Sequence, residues 1–156
     1  MKKRTLAALT TATATAVAAG TAFAVTGATA ASSSDAVRAV QTASKGVSAK
    51  PYELDRERNH WEVTFADGTQ KLVALNGSKV TKTRRDDRDA DVDQARVSLV
   101  AALRAAAPRA GNTQLTDADI DADDGQLVWQ IGFANDTDVD VDARTGKVLR
   151  VDKDDD

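Results

Sequence analysis

The chain has 156 residues, with 21 Lys and Arg, 24 Asp and Glu, and no cysteine. Once Lys2, Lys3 and Arg4 are set aside, 18 basic residues stand against 24 acidic ones, a formal charge near −6. This balance argues against nucleic acid and anionic lipid as partners, because both are bound through clustered Lys and Arg. The lack of cysteine excludes disulfides, thiol catalysis and a lipid anchor on cysteine.

Residues 1–30 have the pattern of a secretory signal peptide. A basic start precedes a mildly apolar run over residues 6–24, and small residues at alternate positions predict cleavage after Ala24 or, as we favour, after Ala30. Several Thr and a Gly make the run too weakly apolar for a spanning helix. The sequence therefore predicts a secreted or cell-envelope protein, with no membrane attachment after cleavage.

The next segment, residues 31–83, predicts one helix followed by three strands. Ser34 is expected to cap a helix over about residues 35–44, which Gly46 ends. Alternation of apolar and polar residues predicts the strands, around residues 52–54, 61–65 and 73–75.

Residues 84–90 carry mixed charges and predict a solvated linker. A second unit then spans residues 91–151. Its helix is expected to begin at Asp91 or Asp93 and to end at Pro108. Three strands follow, around residues 115–120, 129–133 and 139–141. The last residues, 152–156, predict a disordered acidic tail.

The two units repeat part of their sequence. The segment that begins at Trp61 recurs 68 positions later, and seven of 22 residues are identical between residues 61–82 and 129–150. Such a repeat indicates that one supersecondary unit was used twice. We therefore expect an α+β fold of two tandem repeats, each with one helix packed on its own small antiparallel β-sheet (α-β-β-β).

The order of elements and the closing segment Asp142-Ala-Arg-Thr-Gly-Lys-Val-Leu149 resemble the PepSY domain family. The resemblance covers residues 91–151. Residues 31–83 are a degenerate PepSY-like repeat, because residues 74–79 lack the Asp-Ala-x-Thr-Gly sequence. The resemblance implies a secreted protein-binding module with a peptidase-inhibiting or regulating role, since PepSY domains also occur in metalloprotease propeptides. No catalytic residues come with the family.

Several residues that could carry function are expected to be structural instead. Asp142 is expected to accept hydrogen bonds from the amides of the closing turn, near Thr145, and Gly146 to supply a positive φ. Four aromatic side chains are expected in the core under the helices, with an exposed aromatic platform as the alternative: Trp61, Phe65, Trp129 and Phe133.

The sequence gives little support for catalysis. His60 is the only histidine, and neither repeat retains a nucleophile or a metal-ligating cluster. A surface position at a strand edge is the expected place of His60. We therefore predict no catalytic residue, no cofactor and no enzymatic activity.

Two rows of aspartates leave a second hypothesis open. Residues 117–125 resemble a calcium loop but lack its Gly at the sixth position and its Glu at the twelfth. Asp138, Asp140 and Asp142 share one face of a strand, and they form either a site for calcium or another hard cation or a solvated acidic face. The predicted functions are thus a module that binds a secreted peptidase or other envelope protein, or an acidic extracellular cation-binding module.

Overall fold

The computed structural model describes residues 32–85, 91–111, 113–123 and 125–153. Over these residues the chain is α+β, as predicted, with two helices on an antiparallel sheet. The predicted signal peptide, residues 1–30, lies outside them. In chain order the elements are α1 (Ser33–Ala43), β1 (Pro51–Arg56), β2 (His60–Phe65), β3 (Thr69–Ala74), β4 (Val80–Arg85), a 3₁₀ helix (Asp91–Gln94), α2 (Leu99–Ala106), β5 (Leu115–Asp123), β6 (Gln126–Phe133), β7 (Thr137–Asp142) and β8 (Val148–Lys153). No helix in this part of the chain is long and apolar enough to cross a membrane.

All eight strands belong to one sheet, in the order β4-β3-β2-β1-β5-β6-β7-β8. The expectation of a separate small sheet in each half is therefore wrong. The halves join where β1 pairs with β5, through Leu54 opposite Ala118 and Asp55 opposite Asp117. This pairing satisfies backbone groups that would otherwise form two exposed edges, one on each half.

Each half has four strands rather than the three that the sequence predicts. The additional strands are β4 and β8, in which every residue but the first of β8 is exposed. Such strands lack the alternation that marks a half-buried strand. As a result, residues 84–85 lie in β4 instead of a linker, and residues 152–153 end β8 instead of belonging to a disordered tail. The rest of that linker and tail, residues 86–90 and 154–156, lies outside the described residues.

The first helix begins two residues earlier than predicted. Ser32, not Ser34, is its N-cap. Ser32 Oγ accepts a hydrogen bond from the Asp35 amide at 3.3 Å, and the Asp35 carboxylate accepts one from the Ser32 amide at 3.0 Å. This reciprocal pair is a capping box, which satisfies two backbone donors at the start of the helix.

The second helix is shorter than predicted. It follows its N-cap Ser98, rather than Asp91 or Asp93. The amides of Arg96 and Val97 both donate to the Ala143 carbonyl, at 2.9 and 2.8 Å. Because these amides bond to the residue that follows β7, they cannot join the helical hydrogen-bond ladder, and the chain forms only a 3₁₀ turn upstream.

The repeated aromatic residues lie in one core beneath the helices. Trp61 and Trp129 are 0% and 1% exposed, and Phe65 and Phe133 are buried with them. The core prediction is confirmed, and the alternative of an exposed aromatic platform is wrong. Helices and sheet share this core, since the buried apolar residues of both halves form one continuous cluster.

The two faces of the sheet differ in cover. Both helices pack on the face that carries the aromatic side chains. Within the described residues, neither helix packs on the opposite face, which we call the open face. Side chains alternate between faces along a strand, so the polar residues between the buried aromatic ones project from the open face.

Candidate binding face

Carboxylates from five strands line up across the open face. Each of these residues is paired in register with the residue on the neighbouring strand. In order from β2 to β8 the carboxylates are Glu62, Asp55, Asp117, Asp138 and Asp152, and Gly132 of β6 lies between Asp117 and Asp138. We call these five side chains the acidic row. Neighbouring strands lie about 4.8 Å apart, so the row runs about 24 Å across the sheet. Like charges directly opposite one another destabilise a sheet unless something compensates them.

Two further carboxylates, Glu53 on β1 and Asp119 on β5, lie beside the middle of this row. Together with Asp55 and Asp117 they form what we call the central cluster. From the rest of the described chain, no hydrogen bond or ion pair reaches these four side chains. Glu53 and Asp55 are half-buried, whereas Asp117 and Asp119 are exposed. The cluster therefore holds carboxylates that the described residues leave uncompensated.

The pKa of Asp55 reflects this crowding. Burial, and then the charges of Glu53, Asp117, Glu62 and Asp119 in that order, raise the pKa of Asp55 from 3.8 to about 6. The pKa of Asp119 is also raised, first because the surrounding protein removes part of the water around its carboxyl group and then by the charges of neighbouring carboxylates. Each of these causes disfavours the ionised form of Asp55 and of Asp119.

Carboxylates nearer the two edges of the sheet have partners. Glu62 accepts a hydrogen bond from Gln70 Nε2 at 2.7 Å, and Arg84 Nη1 lies 3.8 Å from it. On β8, Arg150 Nε lies 2.8 Å from Asp140 and 3.1 Å from Asp152. Among the described residues, the uncompensated charge is thus concentrated in the middle of the face, where β1 and β5 meet.

A recess opens over Gly132 on this face. Its volume is about 220 Å³, and its lining includes Asp117, Asp119, Asp138 and Asp140. A Cβ atom on Gly132 would lie 2.7 Å from Asp117 Oδ1. Glycine is therefore the residue that leaves room for this carboxylate above β6.

The three aspartates that the sequence singles out as cation candidates do share the open face. Asp138, Asp140 and Asp142 alternate along β7, and all three already take part in interactions. Asp140 pairs with Arg150, and Asp142 accepts hydrogen bonds within its own turn. Among the described residues, no three His, Cys, Asp or Glu side chains are grouped to hold a metal ion.

The closing turn is built as the sequence predicts. Asp142 Oδ1 accepts hydrogen bonds from the amides of Arg144 and Thr145, at 2.8 and 2.7 Å. These bonds lower the pKa of Asp142, with that from Thr145 the largest cause. Gly146 has a φ of +75°, as its place in the turn requires. These residues therefore shape the β7–β8 connection.

His60 lies at the start of β2 on the open face, half-buried, with Nε2 3.9 Å from Glu62 Oε2. In the described structure, no hydroxyl contacts this imidazole, so the nucleophile and base of a catalytic triad are not assembled around it. Its position at a strand end matches the prediction.

Sequence reasoning missed the central cluster. The alternation of Asp117 and Asp119 with Ala118 and Ile120 indicates a strand with one acidic face. It does not reveal that β1 pairs with β5, and it is this pairing that places Asp55 directly opposite Asp117.

A second cavity lies away from the open face. It measures about 520 Å³ and lies between Lys50, residues 92 and 94–98, and Trp129. Its lining is mostly apolar, and Lys50 Nζ reaches across to the Ala95 carbonyl at 3.0 Å. This cavity separates the start of β1 from the segment that precedes α2.

Comparison with known protein families agrees with the sequence signature. Residues 96–152 match the PepSY family, described as peptidase propeptide and YPEB domain. Residues 96–152 form a PepSY domain. No curated protein matches the chain. Among solved structures, a "putative lipoprotein" from Clostridium difficile 630 is 18% identical, over 80% of this chain and 94% of that chain, with a TM-score of 0.43.

The PepSY domain supplies only part of the central cluster. Asp117 and Asp119 lie within its matched residues, whereas Glu53 and Asp55 belong to the segment before it. The open face is therefore shared between the PepSY domain and the first half of the chain.

Proposed function

We propose that this chain is a non-catalytic protein-binding module whose open face binds a basic surface of a partner protein. The observation that carries the proposal is the central cluster, four carboxylates without a described partner on an uncovered sheet face. A cationic surface laid on this face would offset the repulsion among them. Complementary charge of this kind raises the rate of association and selects against acidic partners.

The nature of the partner is suggested by the family. The PepSY description refers to a peptidase propeptide, and a propeptide contacts the enzyme to which it belongs. We therefore propose a secreted peptidase as the partner and inhibition or regulation as the outcome. In this proposal residues 1–30 direct secretion, and the two halves are copies of one unit. The β-bulges support the proposal that the two halves are copies of one unit. They lie at Leu72–Val73 and at Asp140–Val141, which are 68 residues apart, the same offset as the sequence repeat.

Titration of the purified protein into assays of secreted metallopeptidases tests the proposal. Stoichiometric loss of peptidase activity is expected. The matched variant replaces all four central-cluster carboxylates by amides (Glu53→Gln, Asp55→Asn, Asp117→Asn and Asp119→Asn), and it should inhibit at least about tenfold more weakly, because several charge pairs are lost. Glu57→Gln removes one charge from an exposed loop and should inhibit as wild type. Full peptidase activity at excess protein would rule out the inhibitory role.

The alternative, an acidic cation-binding module, has less support, because Asp140 and Asp142 already have partners. Thermal unfolding with calcium distinguishes the two functions. A tightly bound ion should raise the melting temperature beyond a sodium control at equal ionic strength. We expect equal melting temperatures in the two salts; a specific rise with calcium would favour the alternative.

A further inference from the structure

The strand β8 forms one end of the sheet, and its outer edge pairs with no other strand of the described chain. The backbone amides and carbonyls along such an edge can pair with a strand of another molecule. Every residue of β8 except Val148 is exposed. The helices pack mainly on other strands, α1 on β2 and β3 and α2 on β6 and β7. The edge of β8 is therefore accessible to a second molecule.

Apolar side chains are exposed along this edge. Three large apolar side chains are exposed in the described part of the chain, and two of them belong to β8. Leu149 is 47% exposed and Val151 is 39% exposed. Val151 is paired with the buried Val139 of β7, so it lies on the side of the sheet that carries the helices. A strand placed beside this edge would cover Val151 and remove apolar surface from water.

The charges of β8 are complementary to those of a second β8. Arg150 and Asp152 are paired with Asp140 and Asp138 of β7, so both project from the open face. When two copies of β8 pair antiparallel with Val151 opposite Val151, Arg150 of each copy lies opposite Asp152 of the other. Cross-strand pairs of opposite charge stabilise a sheet. A guanidinium can bond to more than one carboxylate, so these pairs are compatible with the contacts of Arg150 within its own chain.

Other pairings lack this match. A two-fold axis at Arg150 or at Asp152 would set two like charges directly opposite each other, which destabilises the pairing. The strand at the other end of the sheet, β4, has three basic residues and no acidic one, so two copies of β4 repel each other. Charges on edge strands commonly prevent association. Those of β8 instead favour one partner, a second β8, in one register.

We propose that β8 is a dimerisation edge, at which a second copy of this chain continues the sheet through an antiparallel β8–β8 pair centred on Val151. The contact is isologous, because both copies use the same residues. Its two-fold axis is perpendicular to the sheet, so the two open faces lie on the same side of the joined sheets. One six-residue strand from each copy is a small interface compared with those of stable dimers. The dimer is therefore weak and depends on protein concentration. This inference does not depend on the proposed function.

Sedimentation velocity of the purified protein, from about 20 µM to about 1 mM, tests the dimer. Wild type should shift from monomer to dimer with concentration and form nothing larger, because an isologous contact closes after two copies. Asp152→Arg should raise the dissociation constant at least about tenfold, because two attractive charge pairs become repulsive. Glu57→Arg makes the same change in net charge on an exposed loop and should associate as wild type. Wild type that stays monomeric, forms larger species or associates no better than Asp152→Arg would overturn the proposal.

Cysteine variants locate the two-fold axis, because the chain has no cysteine of its own. Cα atoms directly opposite each other in an antiparallel pair are about 4.5 or 5.5 Å apart, which a disulfide can span. Val151→Cys should therefore form a disulfide-linked dimer under mild oxidation. In Leu149→Cys the two thiols lie four residues apart along the strands, about 13 Å, so this variant should crosslink much more slowly. If Leu149→Cys crosslinks as fast as Val151→Cys or faster, the proposed register is wrong.

Discussion

Replacement of Asp55 by Asn should stabilise the protein at neutral pH. Asp55 is opposite Glu62 on β2 and Asp117 on β5, so its charge is flanked by carboxylates on both sides. The substitution removes this charge, keeps the shape of the side chain and breaks no described hydrogen bond or ion pair. The expected gain arises from relief of repulsion and of the cost of burying an ion.

The magnitude follows from the pKa of Asp55. Burial and the neighbouring carboxylates raise this pKa from 3.8 to about 6, which corresponds to about 3 kcal/mol at 1.36 kcal/mol per unit. Asp55 is only half-buried, and solvent and salt screen part of the repulsion. We therefore expect about half of that value, a gain of about 1.5 kcal/mol in the free energy of unfolding.

The pH dependence gives the sign of the effect. Stability due to protonation of Asp55 is fully present below the unfolded pKa of 3.8 and is lost as the pH rises through about 6. Urea unfolding of wild type, Asp55→Asn and Glu57→Gln should therefore show the full gain for Asp55→Asn near pH 7.5 and only a small one near pH 4.0. Glu57→Gln should stay within about 0.5 kcal/mol of wild type at both. If Asp55→Asn gains no free energy of unfolding near pH 7.5, or gains equally near pH 7.5 and pH 4.0, the repulsion at Asp55 is refuted.

Three further substitutions probe the scaffold by chemical unfolding. Gly77→Ala should cost about 3 kcal/mol, because Gly77 has a φ of +68° and an added Cβ would lie 2.7 Å from Arg38 Cβ on α1. Asp142→Ala should cost about 1 kcal/mol, because it removes the acceptor of two turn amides. Trp61→Phe should cost about 2 kcal/mol, because it leaves the Leu75 carbonyl without the indole bond of 2.8 Å.

Each of these substitutions has an outcome that would contradict its reasoning. Gly46 has a similar φ of +73° but open space around it. Gly46→Ala should therefore cost only about 1 kcal/mol. Equal costs at Gly46 and Gly77 would disprove the close contact between Gly77 and α1. For Asp142, an Asn variant as unstable as the Ala variant would show that the accepted hydrogen bonds contribute little. For Trp61, an unchanged stability would mean that the indole bond is replaced by water.

Local patterns predicted the parts of the fold that depend on local sequence. The two Trp–Phe pairs alternate along their strands, and alternation alone places them on one buried face. The closing turn is specified within a few residues, so Asp142 and Gly146 were assigned their roles correctly. These features need no knowledge of what packs against them.

The features that the sequence did not reveal depend on contacts between distant segments. The join between β1 and β5 connects residues more than sixty positions apart, and nothing in either strand encodes it. The late start of the second helix likewise depends on the Ala143 carbonyl, which accepts hydrogen bonds from the amides of Arg96 and Val97. The helical spacing of apolar residues predicted a helix through Arg96 and Val97, because this spacing carries no information about the Ala143 carbonyl.

The same limit applies to the candidate site. Alternation placed Asp138, Asp140 and Asp142 on one face of one strand, whereas the acidic row runs across the strands. Its members become neighbours only once the register of the whole sheet is fixed. The pairing of Asp55 with Asp117 at the centre of the face is the clearest case.

The most direct test of the account is a map of where a basic ligand binds. Amide NMR spectra of the protein should be recorded with a peptide rich in Lys and Arg at about 50 mM and about 300 mM salt. The account predicts shifts that centre on Asp55, Asp117 and Gly132 on the open face and that weaken strongly at the higher salt. Shifts that centre on the helices or on the cavity between Lys50 and Trp129, or shifts that salt does not weaken, would contradict it.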